Sequence, residues 1–119
     1  MNHAEAREQE AVIQWAECQS GRYPELRLLF HIPNGGSRNK IEAANLKRQG
    51  VKAGVPDLFL PVARGVYHGL FIEMKAGKNR PTKRQKEWID ALQKQGYAAF
   101  VCWGADEAIA VLKSYLTWL

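Results

Sequence analysis

The sequence has little cysteine and no long hydrophobic run. Cys18 and Cys102 are the cysteines among the 119 residues, and each lies within an apolar pattern far from the other. This predicts two buried free thiols in a reducing cytoplasm rather than a disulfide. No apolar run approaches the ~20 residues needed to cross a bilayer, and the polar, acidic start MNHAEAREQE is not a secretory signal. We therefore expect a cytoplasmic protein without a membrane-spanning segment.

Two common kinds of site are also missing. The cysteines and the three histidines lack the spacing of zinc ligands. No GxxxxGK[ST] loop occurs, so nothing indicates a built-in nucleotide-driven motor. His31 lies in an apolar run, where a hydrogen-bonded structural histidine is favoured over a catalytic one.

Acidic residues are in the minority, with 12 against 17 lysines and arginines and a formal net charge of +5. The excess is concentrated in residues 22–52 and 75–94. Two basic segments favour a polyanionic partner, most commonly nucleic acid, and a solvated basic surface is the alternative. Asn34, in a glycine-rich turn, is either a phosphate contact or a turn-forming residue. The candidate DNA contacts are Asn34, Arg38, Lys40, Lys47, Arg48, Lys52, Lys78 and Lys83.

Hydrophobic periodicity and turn residues predict four helices and four strands. Their order is α-β-α-β-β-α-β-α within one domain over residues 1–119, typical of an α/β protein with a mixed sheet flanked by helices. The helix before the last strand implies a crossover, so the third and fourth strands should be parallel neighbours. The last strand is almost fully apolar, as expected of a central one. The predicted helices are 4–19, 38–49 (capped by Ser37 or Asn39), 81–96 and 105–116, and the strands are 26–32, 55–61, 70–75 and 97–103.

Charged residues on the two middle strands raise the question of chemistry. Glu73 and Lys75 share one face of their strand because side chains alternate along it. If the two strands form a hairpin centred on Gly65, residues whose numbers sum to 130 are paired, which places Asp57 opposite Glu73, with Cβ atoms ~5 Å apart. Facing carboxylates repel, and a divalent cation such as Mg²⁺ would compensate. The alternative is a surface Asp-Lys-Glu cluster that makes weak ion pairs.

These residues also resemble a known family. Pro56-Asp57, separated by fifteen intervening residues from Glu73-Met74-Lys75, matches the PD-(D/E)XK nuclease signature. The longer context resembles the VRR-Nuc (virus-type replication-repair nuclease) branch of that superfamily. The matching pieces span nearly the whole chain and are Glu8-Gln9, residues 32–36, residues 50–57, residues 71–75, and Gln85 with Trp88.

The resemblance implies a restriction-endonuclease-like αβββαβ core and a metal-dependent phosphodiesterase that acts on DNA. It implies that Asp57, Glu73 and the main-chain carbonyl of Met74 hold Mg²⁺ or Mn²⁺. Lys75 would orient the attacking water or stabilise the transition-state charge. A helix-one glutamate would complete the site, and Glu8 matches better than Glu10.

Gln85 has two possible roles. The resemblance places it at the mouth of the site, near the substrate. It also lies three residues after Thr82, the predicted N-cap of its helix, where it would complete a capping box. One residue could serve both roles.

Stand-alone members of the family are similar to Holliday junction resolvases, which implies a homodimer making paired symmetric nicks in a four-way junction, in the nucleoid of a bacterial or phage-infected cell. One active site cuts one strand, so paired nicks on a two-fold junction require a two-fold dimer. The alternatives are a nuclease for flaps, nicks or single strands, and a non-catalytic DNA-binding module. An apolar patch for dimerisation, or equally a closure of the core, is expected from Val66, Tyr67, Tyr115, Leu116, Trp118 and Leu119.

Overall fold

The protein is described here by a computed structural model that covers residues 1–33 and 39–118. Four helices and four strands form its regular structure, with a 3₁₀ segment at Pro24–Leu28. Among these described residues, no helix is both long enough and apolar enough to span a membrane. The helices are α1 (His3–Gln19), α2 (Lys40–Arg48), α3 (Lys83–Lys94) and α4 (Gly104–Leu116), and the strands are β1 (Phe30–His31), β2 (Leu58–Leu60), β3 (Leu70–Lys75) and β4 (Ala98–Trp103).

The strands form one mixed sheet in the order β1-β2-β3-β4. The β1–β2 and β2–β3 pairs are antiparallel, and β3 and β4 are parallel neighbours joined through α3, as the crossover predicts. The β2–β3 ladder pairs Leu58 with Ile72 and Leu60 with Leu70, which is the predicted register around Gly65. One step further in the same register, Asp57 comes opposite Glu73.

Three sequence-based expectations about the framework were wrong. Pro24 presets the backbone for a helical turn, so residues 26–28 of the predicted 26–32 strand belong to the 3₁₀ segment and only Phe30–His31 is β-structure. β4 lies at an edge of the described sheet rather than at its centre, with Phe100 and Trp103 partly exposed. Cys18 is exposed because it lies off the buried stripe of α1; it and the buried Cys102 are both free thiols.

One face of the sheet packs into an apolar core with α1 and α4. Ile72 and Met74 lie in this core with the α4 residues Leu112 and Tyr115. The Tyr115 hydroxyl donates a hydrogen bond to the Val62 carbonyl at 2.5 Å. The described tail therefore closes the core, with the Trp118 ring packed on the rings of Tyr67 and Tyr115, while Val66 is 84% exposed and Leu119 lies outside the described residues.

Candidate active site

Asp57 is buried immediately before β2 and is held at both its main chain and its side chain. Its carboxylate Oδ2 accepts a hydrogen bond from the Met74 N–H at 2.7 Å. Its main-chain carbonyl accepts from the Ile32 N–H at 2.8 Å and lies 2.8 Å from the imidazole Nδ1 of His31. The histidine thus has the hydrogen-bonded structural role favoured for it, and Asp57 is fixed between β1 and β3.

The approach to Asp57 requires a glycine. Gly54 has φ +89°, and a Cβ atom there would lie 2.5 Å from the Arg84 Cγ atom and 3.0 Å from the Trp88 Cδ1 atom of α3. The chain can therefore pass this close to α3 only without a side chain at residue 54. This close approach places α3 next to the segment that leads to Asp57, three residues further along the chain.

Glu73 and Lys75 share a face of β3 and are both buried. The Lys75 Nζ atom lies 3.5 Å from the Glu73 Oε2 atom. Within the described structure, Glu73 Oε1 is buried without a hydrogen-bond partner. Burial and the charge of Asp57 raise the pKa of Glu73 to about 8, although the Lys75 ammonium acts in the opposite direction. A cation bound at this carboxyl would favour its ionised form.

The helix-one carboxylate in this cluster is Glu5, which sequence reasoning did not select. Glu5 is 5% exposed, and its Oε1 atom lies 3.8 Å from the Lys75 Nζ atom. Its Oε2 atom accepts a hydrogen bond from the Asn79 side-chain amide at 2.7 Å. The predicted Glu8 instead accepts the Ala105 N–H at the start of α4, at 3.0 Å. The alternative, Glu10, is exposed.

The VRR-NUC domain family matches residues 3–106 of the chain. The chain belongs to the VRR-NUC domain family. A solved structure described as a VRR_NUC domain protein is 41% identical to it and superposes with a TM-score of 0.83, covering 99% of this chain and 92% of its own. The search of curated proteins found no match. The family makes this a nuclease-type domain, and the solved structure confirms the predicted mixed α/β fold.

The buried charged cluster of this VRR-NUC domain has the charge and the donor atoms to hold a divalent cation. Glu5, Asp57 and Glu73 are three buried carboxylates against the single ammonium of Lys75. In the described chain, however, no three acidic, histidine or cysteine side chains are arranged to hold a metal ion by themselves. This donor set suits Mg²⁺ or Mn²⁺ better than zinc, because Mg²⁺ uses one or two protein carboxylates and takes its other ligands from water and phosphate. Asp57, Glu73 and the Met74 carbonyl would hold the ion.

Gln85 forms the capping box that was its alternative role. The Thr82 N–H donates to Gln85 Oε1 at 2.9 Å, and the Gln85 N–H donates to Thr82 Oγ1 at 3.2 Å. The carbonyl oxygen of this side chain is therefore engaged by the start of α3. In its second predicted role, near the substrate, Gln85 would make contact through its side-chain amide nitrogen.

The predicted DNA contacts are distributed around α2 and α3. Lys47 and Lys52 line a cavity of about 780 Å³ between these helices, together with Arg84 and Trp88. Arg48 is exposed and hydrogen-bonded to Asn45. Lys40 and Lys83 are the exposed first residues of α2 and α3, Lys78 lines a second cavity beyond β3, and Asn34 and Arg38 lie outside the described residues.

Proposed function

We propose that this VRR-NUC domain is a metal-dependent DNA endonuclease that hydrolyses phosphodiester bonds. The observation that carries the proposal is the burial of Asp57, Glu73 and Lys75 in one cluster with an unpartnered Glu73 oxygen. A surface Asp-Lys-Glu cluster would be solvated, whereas these three residues are at most 5% exposed. Burying charges without a compensating ion is costly, which argues against a purely structural role.

The chain's residues would divide the work of hydrolysis. A divalent cation at Asp57 and Glu73 would supply Lewis acidity to the phosphate and make water easier to deprotonate near neutral pH. Lys75 would hold its ammonium against the charge that develops on the phosphate oxygens, in the low-dielectric setting where such a charge acts most strongly. Glu5 and Glu73, at 3.8 and 3.5 Å from Nζ, would keep that ammonium in place.

The proposed substrate is a branched DNA, in the first instance a four-way junction cut by a homodimer. The exposed basic residues of α2 and the α2/α3 cavity lie beside the Asp57 approach, where they would contact DNA phosphates around the cleavage point. A two-fold dimer would set two such sites on the two-fold junction. A nuclease for flaps, nicks or single strands is the second candidate, because one protomer already contains the whole Asp57, Glu73 and Lys75 cluster.

The test is cleavage of labelled four-way junctions, flaps, nicked duplexes and single strands, with Mg²⁺, with Mn²⁺ and with EDTA. We expect paired symmetric nicks in the junction that depend on the metal, and a solution mass twice that of the 13.5 kDa chain. A monomer that cuts flaps in preference would replace the resolvase by the second candidate. DNA binding without cleavage of any substrate under any metal would overturn the nuclease.

A further inference from the structure

A second cavity opens at the end of β4. Trp103, the last residue of β4, is paired in parallel register with Lys75. Adjacent strands lie ~4.8 Å apart, so the backbone of Trp103 is directly beside that of the proposed catalytic lysine. Trp103 is 38% exposed, and its indole Nε1–H donates to the Asn79 main-chain carbonyl at 2.8 Å. A large aromatic ring is thus held in a fixed orientation with part of its surface open to solvent.

The cavity is strongly basic. Its volume is about 770 Å³, and it is lined by Lys78, Asn79, Arg80, Pro81, Lys86 and Trp103. Three of these residues are cations and none is acidic. Within the described structure, none of the three cations forms an ion pair, whereas Lys94 on the same helix as Lys86 is neutralised by Asp90 at 2.9 Å. The positive charge around the indole is therefore free to meet an anion.

A chain of contacts connects this cavity to the cleavage site. Asn79 accepts the Trp103 indole N–H through its carbonyl and donates from its side-chain amide to Glu5 at 2.7 Å. Glu5 in turn lies 3.8 Å from the Lys75 Nζ atom. A ligand bound against the indole would therefore affect the residues that position the Lys75 ammonium.

We infer that this cavity is a subsite for one unpaired nucleotide next to the scissile phosphate, with its base stacked on Trp103 and its phosphates bound by Lys78, Arg80 and Lys86. An aromatic face beside cations is the arrangement by which proteins bind single-stranded nucleic acid, because every base has a π-face and every linkage a charge. A base in a continuous duplex cannot reach the indole without leaving its stack. The subsite thus deepens the proposed nuclease function, selecting DNA with unpaired or easily unstacked bases at the cut, as branch points provide.

The first test measures binding of a labelled single-stranded oligonucleotide in EDTA, where nothing can be cut. Trp103→Leu should weaken binding about tenfold, and Trp103→Phe, which keeps a stacking ring, should stay within about threefold of the parent. Lys86→Ala should flatten the dependence of log affinity on log salt by about 0.7. Lys94→Ala is the matched control on the same helix and should leave the slope unchanged. Equal affinity of parent and Trp103→Leu would overturn the inference.

The second test scans a cleavable substrate with one abasic nucleotide placed at each position around the cut. The parent should lose about tenfold in cleavage rate at one position, and Trp103→Leu should show no such loss there, because the stacking partner is already missing. Identical abasic profiles in two active proteins would overturn the subsite and leave the nuclease standing. If Trp103→Leu fails to fold, the salt slope of Lys86→Ala decides, and a slope equal to that of the parent would overturn the inference. A parent that binds single strands as expected but cuts no DNA would overturn the nuclease instead.

Discussion

The two faces of β3 are equally buried and chemically opposite. Ile72 and Met74 are 1% and 0% exposed within the apolar core, and Glu73 and Lys75, alternating with them, are 1% and 5% exposed. The charged face leaves a carboxylate oxygen without a partner. Buried charge of this kind adds little to stability, and hydrophobic replacements are often neutral or stabilising. We therefore assign folding to the apolar face and the proposed chemistry to the charged face, so substitutions on the apolar face should lower stability and those on the charged face should lower activity.

The largest expected effect is loss of cleavage from the charged face. Asp57→Asn or Glu73→Gln should lower the cleavage rate by more than about 10³-fold, because each removes a negative charge from the proposed metal site. Folding and DNA binding should be retained. Steady-state cleavage assays, with circular dichroism as the check on folding, measure the separation.

The matched control comes from the opposite face of the same strand. Ile72→Ala should cost about 2 to 5 kcal/mol of stability by leaving a cavity in the core. Its cleavage rate per folded molecule should stay near that of the parent. Unchanged cutting by Asp57→Asn, or loss of cutting by Ile72→Ala in folded protein, would contradict the division between the two faces.

Lys75 should give a smaller loss of a different kind. Lys75→Met keeps most of the packing volume and removes the ammonium, so the cleavage rate should fall by about 10² to 10³-fold, the scale for one electrostatic stabiliser. Metal binding measured by calorimetry should persist or tighten, because a competing positive charge has gone. Loss of metal binding in this variant would assign Lys75 to the metal site rather than to the phosphate.

The register that puts these charges together was predictable from the sequence. The β2–β3 ladder follows the symmetry about Gly65, which has φ +55° as a tight turn requires. At the hairpin tip Arg64 pairs with Tyr67, and their residue numbers sum to 131 rather than 130. The connection therefore contains a one-residue offset, which ends before the β2–β3 ladder begins. The predicted register holds in the ladder because any shift by one would move Leu58 and Leu60 out of the core.

The helix-one carboxylate was not predictable to the same precision. At roughly 100° per residue, a stripe drawn through Val12, Trp15, Ala16 and Gln19 has its midline equally far from Glu8 and Glu5, so the pattern alone does not choose between them. Val12 and Ala16 are the fully buried apolar residues of the helix, and their midline coincides with Glu5. Half-buried residues such as Trp15 look apolar in sequence, so they rotate the apparent stripe.

The amino-acid composition of β4 also gave no indication that it is an edge strand. Its apolar residues reflect contacts with α3 and α4. Its free edge is shielded by side chains. The Gln93 amide donates to the Ala99 carbonyl at 3.0 Å, and Glu107 accepts the Trp103 N–H at 3.1 Å. Such side-chain cover protects an edge strand without polar residues in the strand itself.

A moderate effect is expected on the pH dependence of stability, which should reveal the buried Glu73 carboxyl of the charged face. The raised pKa of Glu73, about 8 against an ordinary 4.5, means that the folded protein favours the protonated carboxyl. This contribution is fully present below about pH 4.5 and is lost as pH rises through 8. Without divalent metal, Glu73→Gln should therefore raise Tm relative to the parent by at least about 5 °C at pH 9 and much less at pH 5. Mg²⁺ or Mn²⁺ should stabilise the parent at pH 8 and not the variant. Parallel Tm curves for the two proteins would contradict the assignment of this carboxyl.

The smallest effect per residue is expected outside both faces, where the basic surface of α2 would contact DNA phosphates. Lys47 and Lys52 line the α2/α3 cavity, and Arg48 is exposed between them in sequence. Log affinity for B-form DNA falls with log salt by about 0.9 per phosphate contacted, so replacing all three by alanine should flatten the slope by up to about three. The cleavage rate at saturating DNA should stay near that of the parent, because these residues do not contact Asp57, Glu73 or Lys75. Fluorescence anisotropy between 50 and 300 mM salt measures the slope, with Lys94→Ala as the control whose charge is already paired.

An unchanged slope would place the DNA backbone on the Trp103 side of α3 alone, whereas a lost cleavage rate at saturation would place these cations in the catalytic site itself.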